Sequence, residues 1–300
     1  MPSLKDVKAK IGGVKKTRQI TKAMNMVAAS RLRGAQLKME AFRPYAQKFG
    51  EVLGSLAGRA GESVSPLLVP KKEVKNIHLV LCTSDRGLCG GFNSNLIGAA
   101  EKFMAERAGQ DVTVSFTCFG KKGRDFARKQ KFERAADYLG VIGGRFGFTV
   151  ASKAAQSLIF GFLSEKYDEV YVIYAEFVSM AKQKPVLQQI LPIPPLAEAE
   201  AENAGAAEGG EGFLAEHICE PSADALLSVL LPRNVSIQIY KALLETSTSE
   251  QAARMMAMDN ATKACNDMLD QLTLTYNKAR QGAITKELMD IVGGAEALRG

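Results

Sequence analysis

Apolar and small residues recur at alternating steps of three and four along both ends of this chain. At the start they occupy Leu4, Val7, Ile11 and Val14, then in the same phase Ala28, Leu32, Ala35, Met39, Phe42, Ala46, Phe49, Leu53 and Leu56. At the other end Met255, Met258, Thr262, Cys265, Leu269, Leu272, Tyr276, Ala279 and Ala283 repeat the pattern. Such spacing is the signature of a coiled-coil seam, because it keeps one narrow stripe of each helix against a neighbour. Two seams so far apart in sequence suggest that the terminal helices are each other's partners.

Punctuation marks the limits of the helices. Ser3 is a plausible N-cap for the first, Gly58 and Gly61 end it, and Pro44 is expected to bend it or end its first part. At 1.5 Å per residue such a helix is a rod of roughly 80 Å, which projects beyond a small domain. The last helix is expected to be capped by Ser222 or Asp224, interrupted at Pro232, continuous from Arg233 to about Val292, and closed by Gly293 and Gly294.

Between these helices the pattern changes. Strands are expected at Asn76 to Thr83, Val112 to Phe119, Glu169 to Met180 and Lys184 to Ile193. Helices are expected at Ser94 to Arg107, Lys121 to Lys129 and Thr149 to Glu165. Repeated strand-helix-strand units favour a mostly parallel sheet covered by helices, with the last two strands forming an edge hairpin. The fold class is therefore α/β, a long antiparallel coiled coil of the terminal helices plus a central Rossmann-like domain. The division is 1–60 for the first coiled-coil helix, 74–219 for the central domain and 222–298 for the last helix. Within it 196–212, with five glutamates and no basic residue, reads as a flexible acidic insertion, and 213–219 as a short extended piece.

Charge is concentrated at the start. The net charge is +7, and residues 1–38 hold ten Lys or Arg against the single acid Asp6, which leaves the rest about neutral. A basic helix of this kind is a binding face for nucleic acid, anionic lipid or an acidic protein surface, or simply a solvated face. Aromatic residues that would stack on bases are missing before Phe42, which weighs against nucleic acid. No apolar run approaches the roughly 20 residues of a membrane span, and the first thirty residues contain no signal-peptide stretch. The five cysteines are scattered, with no CxxC pair, which argues against a disulfide framework or a zinc site and for a reducing compartment.

Chemistry-bearing motifs are sparse. Gly12 to Thr17, GGVKKT, resembles the end of a phosphate loop, but Lys15 occupies the place of the glycine needed before the lysine, and the stretch lies inside a helical seam. Its paired glycines would instead allow close approach of a neighbour. Ser84 to Asn93, SDRGLCGGFN, falls between a strand and a helix, where α/β proteins commonly bind ligands. Its spacing is neither GxGxxG nor GxxxxGK, and Asp85 would repel a phosphate unless Arg86 neutralised it, so a structural turn or docking loop is favoured over a nucleotide site. Cys89 would need a base to act as a nucleophile, and neither His78 nor His217 stands in a motif. In the first seam, Arg18, Thr21 and Asn25 fill the phase between Val14 and Ala28. They either set register or make a contact that must be released.

Three stretches together resemble the gamma subunits of F-type ATP synthases: ITKAMNMVAASRLR at Ile20 to Arg33, SDRGLCGGFN at Ser84 to Asn93, and MDNAT, LTLTYNKARQ, AIT and IVGGA between Met258 and Ala295. The resemblance spans both terminal helices and the central domain. It implies a non-catalytic rotor, with the helix pair inside a ring of alpha and beta subunits and the central domain against the epsilon subunit and the c-subunit ring. Proton flow would turn the shaft and drive ATP synthesis at the beta subunits, with hydrolysis running in reverse. By that likeness Lys22, Met24, Arg31 and Arg33 meet acidic lever loops of beta, and Arg280, Gln281, Thr285 and Glu287 touch beta and alpha. Ile284, Leu288 and Ile291 turn in an apolar sleeve, and Asp85, Arg86, Cys89, His217 and Cys219 are candidates for the epsilon or c-ring contact. No cofactor, metal or nucleic acid is implied. Asn25 and Gly282 depart from the common glutamate and alanine. The lack of a presequence or a regulatory cysteine insertion favours a bacterial protein on the cytoplasmic face of the inner membrane.

Overall fold

A computed structural model describes residues 4–57, 65–107, 112–194 and 222–297. Five helices and five strands occur among them: α1 Leu4–Ala57, β1 Asn76–Cys82, α2 Phe92–Glu106, β2 Thr113–Phe119, α3 Lys121–Lys129, β3 Glu133–Tyr138, α4 Phe148–Leu163, β4 Glu169–Phe177, β5 Gln183–Leu191 and α5 Ala223–Ala297. The chain divides into two compact units, one of Met1–Ala29 with Arg254–Gly300 and one of Ser30–Ala253. Both long helices contribute to both units.

The larger unit is built on one sheet of order β3-β2-β1-β4-β5. β1 is parallel to β2 and β4, β3 is parallel to β2, and β5 closes one edge antiparallel to β4. The central strand β1, NIHLVLC, is buried on both faces, as an interior parallel strand should be. Ile77, Leu79 and Leu81 point to one face, packing with Phe116, Cys118 and Ile173 under Leu96, Ala100 and Phe103 of α2. Val80 and Cys82 point to the other, where Val172, Ala154, Leu158 and Phe162 meet Leu53 and Leu56 of α1 and Leu227, Leu231, Val235 and Ile239 of α5. At Gly161 an added Cβ would lie 2.2 Å from the Tyr167 ring, so α4 packs there only because the side chain is absent.

Neither proline ends its helix. Pro44 lies inside α1 and Pro232 inside α5, contrary to the expected interruption at Pro232. A helical proline removes one hydrogen bond and costs about 3 kcal/mol. Burial of Leu53 and Leu56 beyond Pro44, and of Leu227, Leu231 and Val235 on both sides of Pro232, offsets that cost. Ser222 does cap α5, its Oγ accepting the Ala225 N–H at 3.2 Å. The strand β3 was not expected from sequence. The acidic insertion 196–212 and the extended piece 213–219 lie outside the described residues.

In the smaller unit the two helices pair along the seams read from sequence. Val7, Thr21 and Ala28 of α1 and Met258 and Leu269 of α5 are buried, and Ile11, Val14, Arg18, Asn25, Thr262, Cys265, Leu272, Tyr276, Ala279 and Ala283 are half-buried. Three cross-helix bonds fix the direction. Asn25 Nδ2 donates to the Met255 carbonyl at 2.8 Å, the Thr262 and Thr21 hydroxyls lie 2.8 Å apart, and Arg18 Nη1 donates to Asn266 Oδ1 at 3.2 Å. As numbers fall along α1 they rise along α5, so the pair is antiparallel. Gly12 and Gly13 do not serve close approach within the chain, since a Cβ at either would meet no atom within 4 Å. They lie on the solvent side of α1.

Candidate functional site

The polar seam residues each find a partner on the other helix, which supports register setting: an unpaired polar group would destabilise a shifted alignment. Around them Lys22 and Gln19 stand exposed beside a groove completed by Asn25, Met26, Asp259, Thr262 and Asn266. Met24 is half-buried. Lys22 therefore presents its charge to solvent, while Met24 offers only part of its side chain.

Further along α5, Arg280, Gln281, Thr285 and Glu287 are all exposed. The Thr285 hydroxyl turns back to the Gln281 carbonyl at 3.0 Å, leaving Arg280 and Gln281 free to project a guanidinium fork and an amide. Ile284, Leu288 and Ile291 are 48%, 58% and 68% exposed. At spacings of four and three they form one apolar stripe on a helix face, widened by the exposed Met289 and Val292. Those last two were not picked out from sequence, although continuing the apolar positions of the terminal turns would have found them. An apolar stripe of this kind on the surface of a folded chain marks a surface meant to be covered.

In the larger unit Arg31 and Arg33 are exposed on α1. Arg31 shares a cleft with Lys38 on the same helix, Arg145 in the loop before α4, and the buried Ser247 of α5. Arg145 extends the basic face in a way that only the fold reveals, because it lies more than a hundred positions away.

The loop at Ser84 to Asn93 is closed from within. Ser84 N–H and Asn93 Oδ1 are 3.0 Å apart, Asn93 Nδ2 reaches Ser84 Oγ at 2.8 Å and Cys89 Sγ at 3.2 Å, and Leu88 takes a left-handed φ of 64°. Asp85 braces the loop: its two carboxylate oxygens accept the Lys121 and Gly140 N–H groups at 3.0 and 2.9 Å. Cys89 is only 2% exposed. Of the residues proposed for a contact on this loop, Asp85 and Cys89 point inward and Arg86 outward, with Leu88 beside it. The inward turn follows from the glycines, which let a short loop fold its polar groups onto its own backbone. His217 and Cys219 lie outside the described residues.

His78 and the thiols of Cys82 and Cys118 are held inert. His78 is buried, its Nδ1 2.7 Å from Ser115 Oγ and its Nε2 2.8 Å from Thr117 Oγ1, with the ring stacked on Tyr167. Burial, and then the Lys166 charge, lower its pKa to about 3. Burial pushes the Cys82 thiol up strongly and the Cys118 thiol to about 12, so neither is a thiolate at neutral pH. Among the described residues no group of three His, Cys, Asp or Glu could hold a metal ion, and no helix is long and apolar enough to cross a membrane.

A sheet domain and an antiparallel helix pair whose exposed faces carry polar and apolar residues, with no metal cluster among the described residues, fit the class of subunits that work through other chains. Comparison with known proteins identifies its family. The ATP synthase family model matches residues 3–298. The ATP synthase gamma chain of Desulfosudis oleivorans is 66% identical over 301 residues, covering 100% of both chains. That of Nitratidesulfovibrio vulgaris Miyazaki F is 55% identical over 303 residues, again covering 100% of both. Among solved structures, the central stalk and c-ring of the Tetrahymena thermophila mitochondrial ATP synthase contains a chain 25% identical, with a TM-score of 0.58, covering 81% of this chain and 99% of that one. A chain of the Euglena gracilis mitochondrial ATP synthase, 18% identical with a TM-score of 0.64, covers 98% of this chain and is covered over 94% of its own length, and shares the fold. The chain belongs to the ATP synthase gamma-chain family. It is the non-catalytic central-stalk subunit of a membrane-associated, F-type rotary ATP synthase.

Proposed function

We propose that the exposed faces of the paired helices are the surfaces through which this rotor drives the catalytic subunits. Lys22, Met24, Arg31 and Arg33 of α1 meet acidic loops of the beta subunits. Arg280, Gln281, Thr285 and Glu287 of α5 make releasable polar contacts to beta and alpha, and Ile284, Leu288 and Ile291 turn in an apolar sleeve. The observation that carries this reading is the coincidence on exposed faces of one helix of an apolar stripe and an adjacent arginine and glutamine. Such contacts must form and break at every step, and exposed charge pairs of roughly 1 kcal/mol or less are suited to that. The central domain faces the epsilon subunit and the c ring, with Arg86 the exposed charge of the loop after β1; proton flow through that ring turns the assembly. The division into shaft helices at 1–60 and 222–298 and a central domain at 74–219 follows the same scheme. So does a place on the cytoplasmic face of a bacterial inner membrane, supported by the bacterial relatives.

Replacing Arg280 and Gln281 together with alanine tests the contact assignment. The helical content of the free chain should stay as in the parent, since both side chains are exposed and alanine favours helix. Assembly with alpha and beta, or ATP turnover of the complex, should weaken by roughly five-fold, the loss of about 1 kcal/mol of polar contact. Unchanged assembly, turnover and proton pumping would make these residues ordinary solvated positions.

A further inference from the structure

β4 is longer than its neighbour β1. Its pairing with β1 ends at Ile173, opposite Leu81, while β4 runs on to Phe177. Beyond that point the β1-facing side of β4 has no strand to bond with. On the other side β5 continues, but a strand directs its backbone groups alternately to its two sides, and those of Ala175 and Phe177 point away from β5. The overhanging end therefore presents backbone groups at alternate residues, Ala175 and Phe177, to whatever lies beyond the sheet.

What lies there is a stretch of α5 that is buried all round and yet polar. Glu245, Thr246, Ser247, Thr248, Ser249, Glu250 and Gln251 are all buried. Their side chains take the place of the missing strand. The Phe177 N–H donates to Glu245 Oε2 at 2.9 Å, the Ala175 N–H to Thr246 Oγ1 at 3.4 Å, and Ser249 Oγ donates to the Ala175 carbonyl at 3.1 Å. The second oxygen of Glu245 accepts Arg43 Nη2 of α1 at 3.2 Å. One carboxylate thus ties both long helices to one strand end. The loop before α4 is pressed on the same stretch, where a Cβ at Gly143 would lie 2.8 Å from Glu250 Oε2.

Apolar packing holds surfaces together but is non-directional, so it resists sliding and twisting poorly. Hydrogen bonds to fixed backbone groups are directional, and a buried one to a charged group is strong. We propose that Glu245 is a positioning residue that locks α1 and α5 to the sheet, so that torque applied to the sheet domain reaches the helices without slip. The proposal rests on the rotor reading above and adds the joint through which the rotor turns as one body.

The test uses the complete complex in inverted membrane vesicles, with the parent chain, Glu245→Ala, Glu245→Gln and the double variant Thr246→Val with Ser249→Ala. The readout is ion pumping per ATP hydrolysed, at matched amounts of assembled complex, together with hydrogen exchange at the Phe177 amide. A merely structural defect lowers hydrolysis and pumping together and leaves their ratio alone. Glu245→Ala should raise Phe177 exchange by about ten-fold or more, as expected for loss of a charge-assisted bond, and lower the pumping ratio. Glu245→Gln, whose amide carbonyl still accepts the Phe177 N–H, should recover most of the ratio. A parent-like ratio for assembled Glu245→Ala overturns the proposal; if that variant does not assemble, a parent-like ratio for the double variant does. A parent complex whose pumping is independent of this chain would instead refute the rotor reading itself.

Discussion

His78 shows how a residue that looks chemical becomes structural. On a strand buried on both faces its imidazole would be costly, but Ser115 and Thr117 of the neighbouring strand stand in register to hold both nitrogens. In sequence it stands in no motif, and the two hydroxyls show its structural role. The consequence is a pH dependence with a definite sign. The folded-state pKa of about 3 lies below the ordinary 6.5, so the unfolded chain takes up the proton first. Stability is therefore full above pH 6.5 and falls as pH drops from there towards 3, by about 1.4 kcal/mol per unit. Going from pH 7 to pH 5, the sheet domain should lose about 2 kcal/mol more in the parent than in a His78→Gln variant. Denaturant unfolding at the two pH values measures this, and equal losses would contradict the assignment.

At the scale of elements, the long helices were legible because their seams repeat for many turns, so that errors at any one position average out. Arg18, Thr21 and Asn25 were legible as breaks in the pattern, but not their partners, since Asn266, Thr262 and the Met255 carbonyl depend on the alignment of two helices far apart in the chain. Those partners give a test. In a double-mutant cycle with Thr21→Val and Thr262→Val, the coupling energy should be about 0.5–1.5 kcal/mol, one hydroxyl pair in a half-buried seam. A coupling near zero in thermal unfolding of the helix pair would mean that register is set elsewhere. Pro232 misled because a local cost of about 3 kcal/mol is smaller than the burial of several leucines around it. The strand β3 was invisible for the opposite reason. ERAADY is an edge strand, mostly exposed, with no apolar alternation to read; it exists because β2 offers it a ladder of backbone partners. On the loop after β1, sequence supplied the glycines and the turn but not the direction of the side chains. Asp85 and Cys89 face inward for reasons that lie in Lys121, Gly140 and Asn93.

For the whole molecule, the family likeness proposes contact residues, and the fold places most of them on exposed helix faces. The helix pair carries its polar bonds inside, where they fix alignment, and leaves Lys22, Arg280, Gln281 and the apolar stripe from Ile284 to Ile291 outside, where they can meet other chains. The sheet domain supplies no reactive group of its own among the described residues. His78 is neutral, the Cys82 and Cys118 thiols are protonated, and the loop after β1 is tied shut. The molecule is consistent at each scale with a part that transmits motion.

The most direct test fixes a ring of alpha and beta subunits assembled with this chain to a surface and attaches a visible probe to the central domain, through a cysteine introduced at the exposed Leu88 of a variant in which the partly exposed Cys265 and the undescribed Cys219 are replaced. On addition of ATP the probe should turn in one direction, in repeated steps, and stop when ATP is exhausted. A ring that hydrolyses ATP at its normal rate while the probe on this chain stays still would contradict the account.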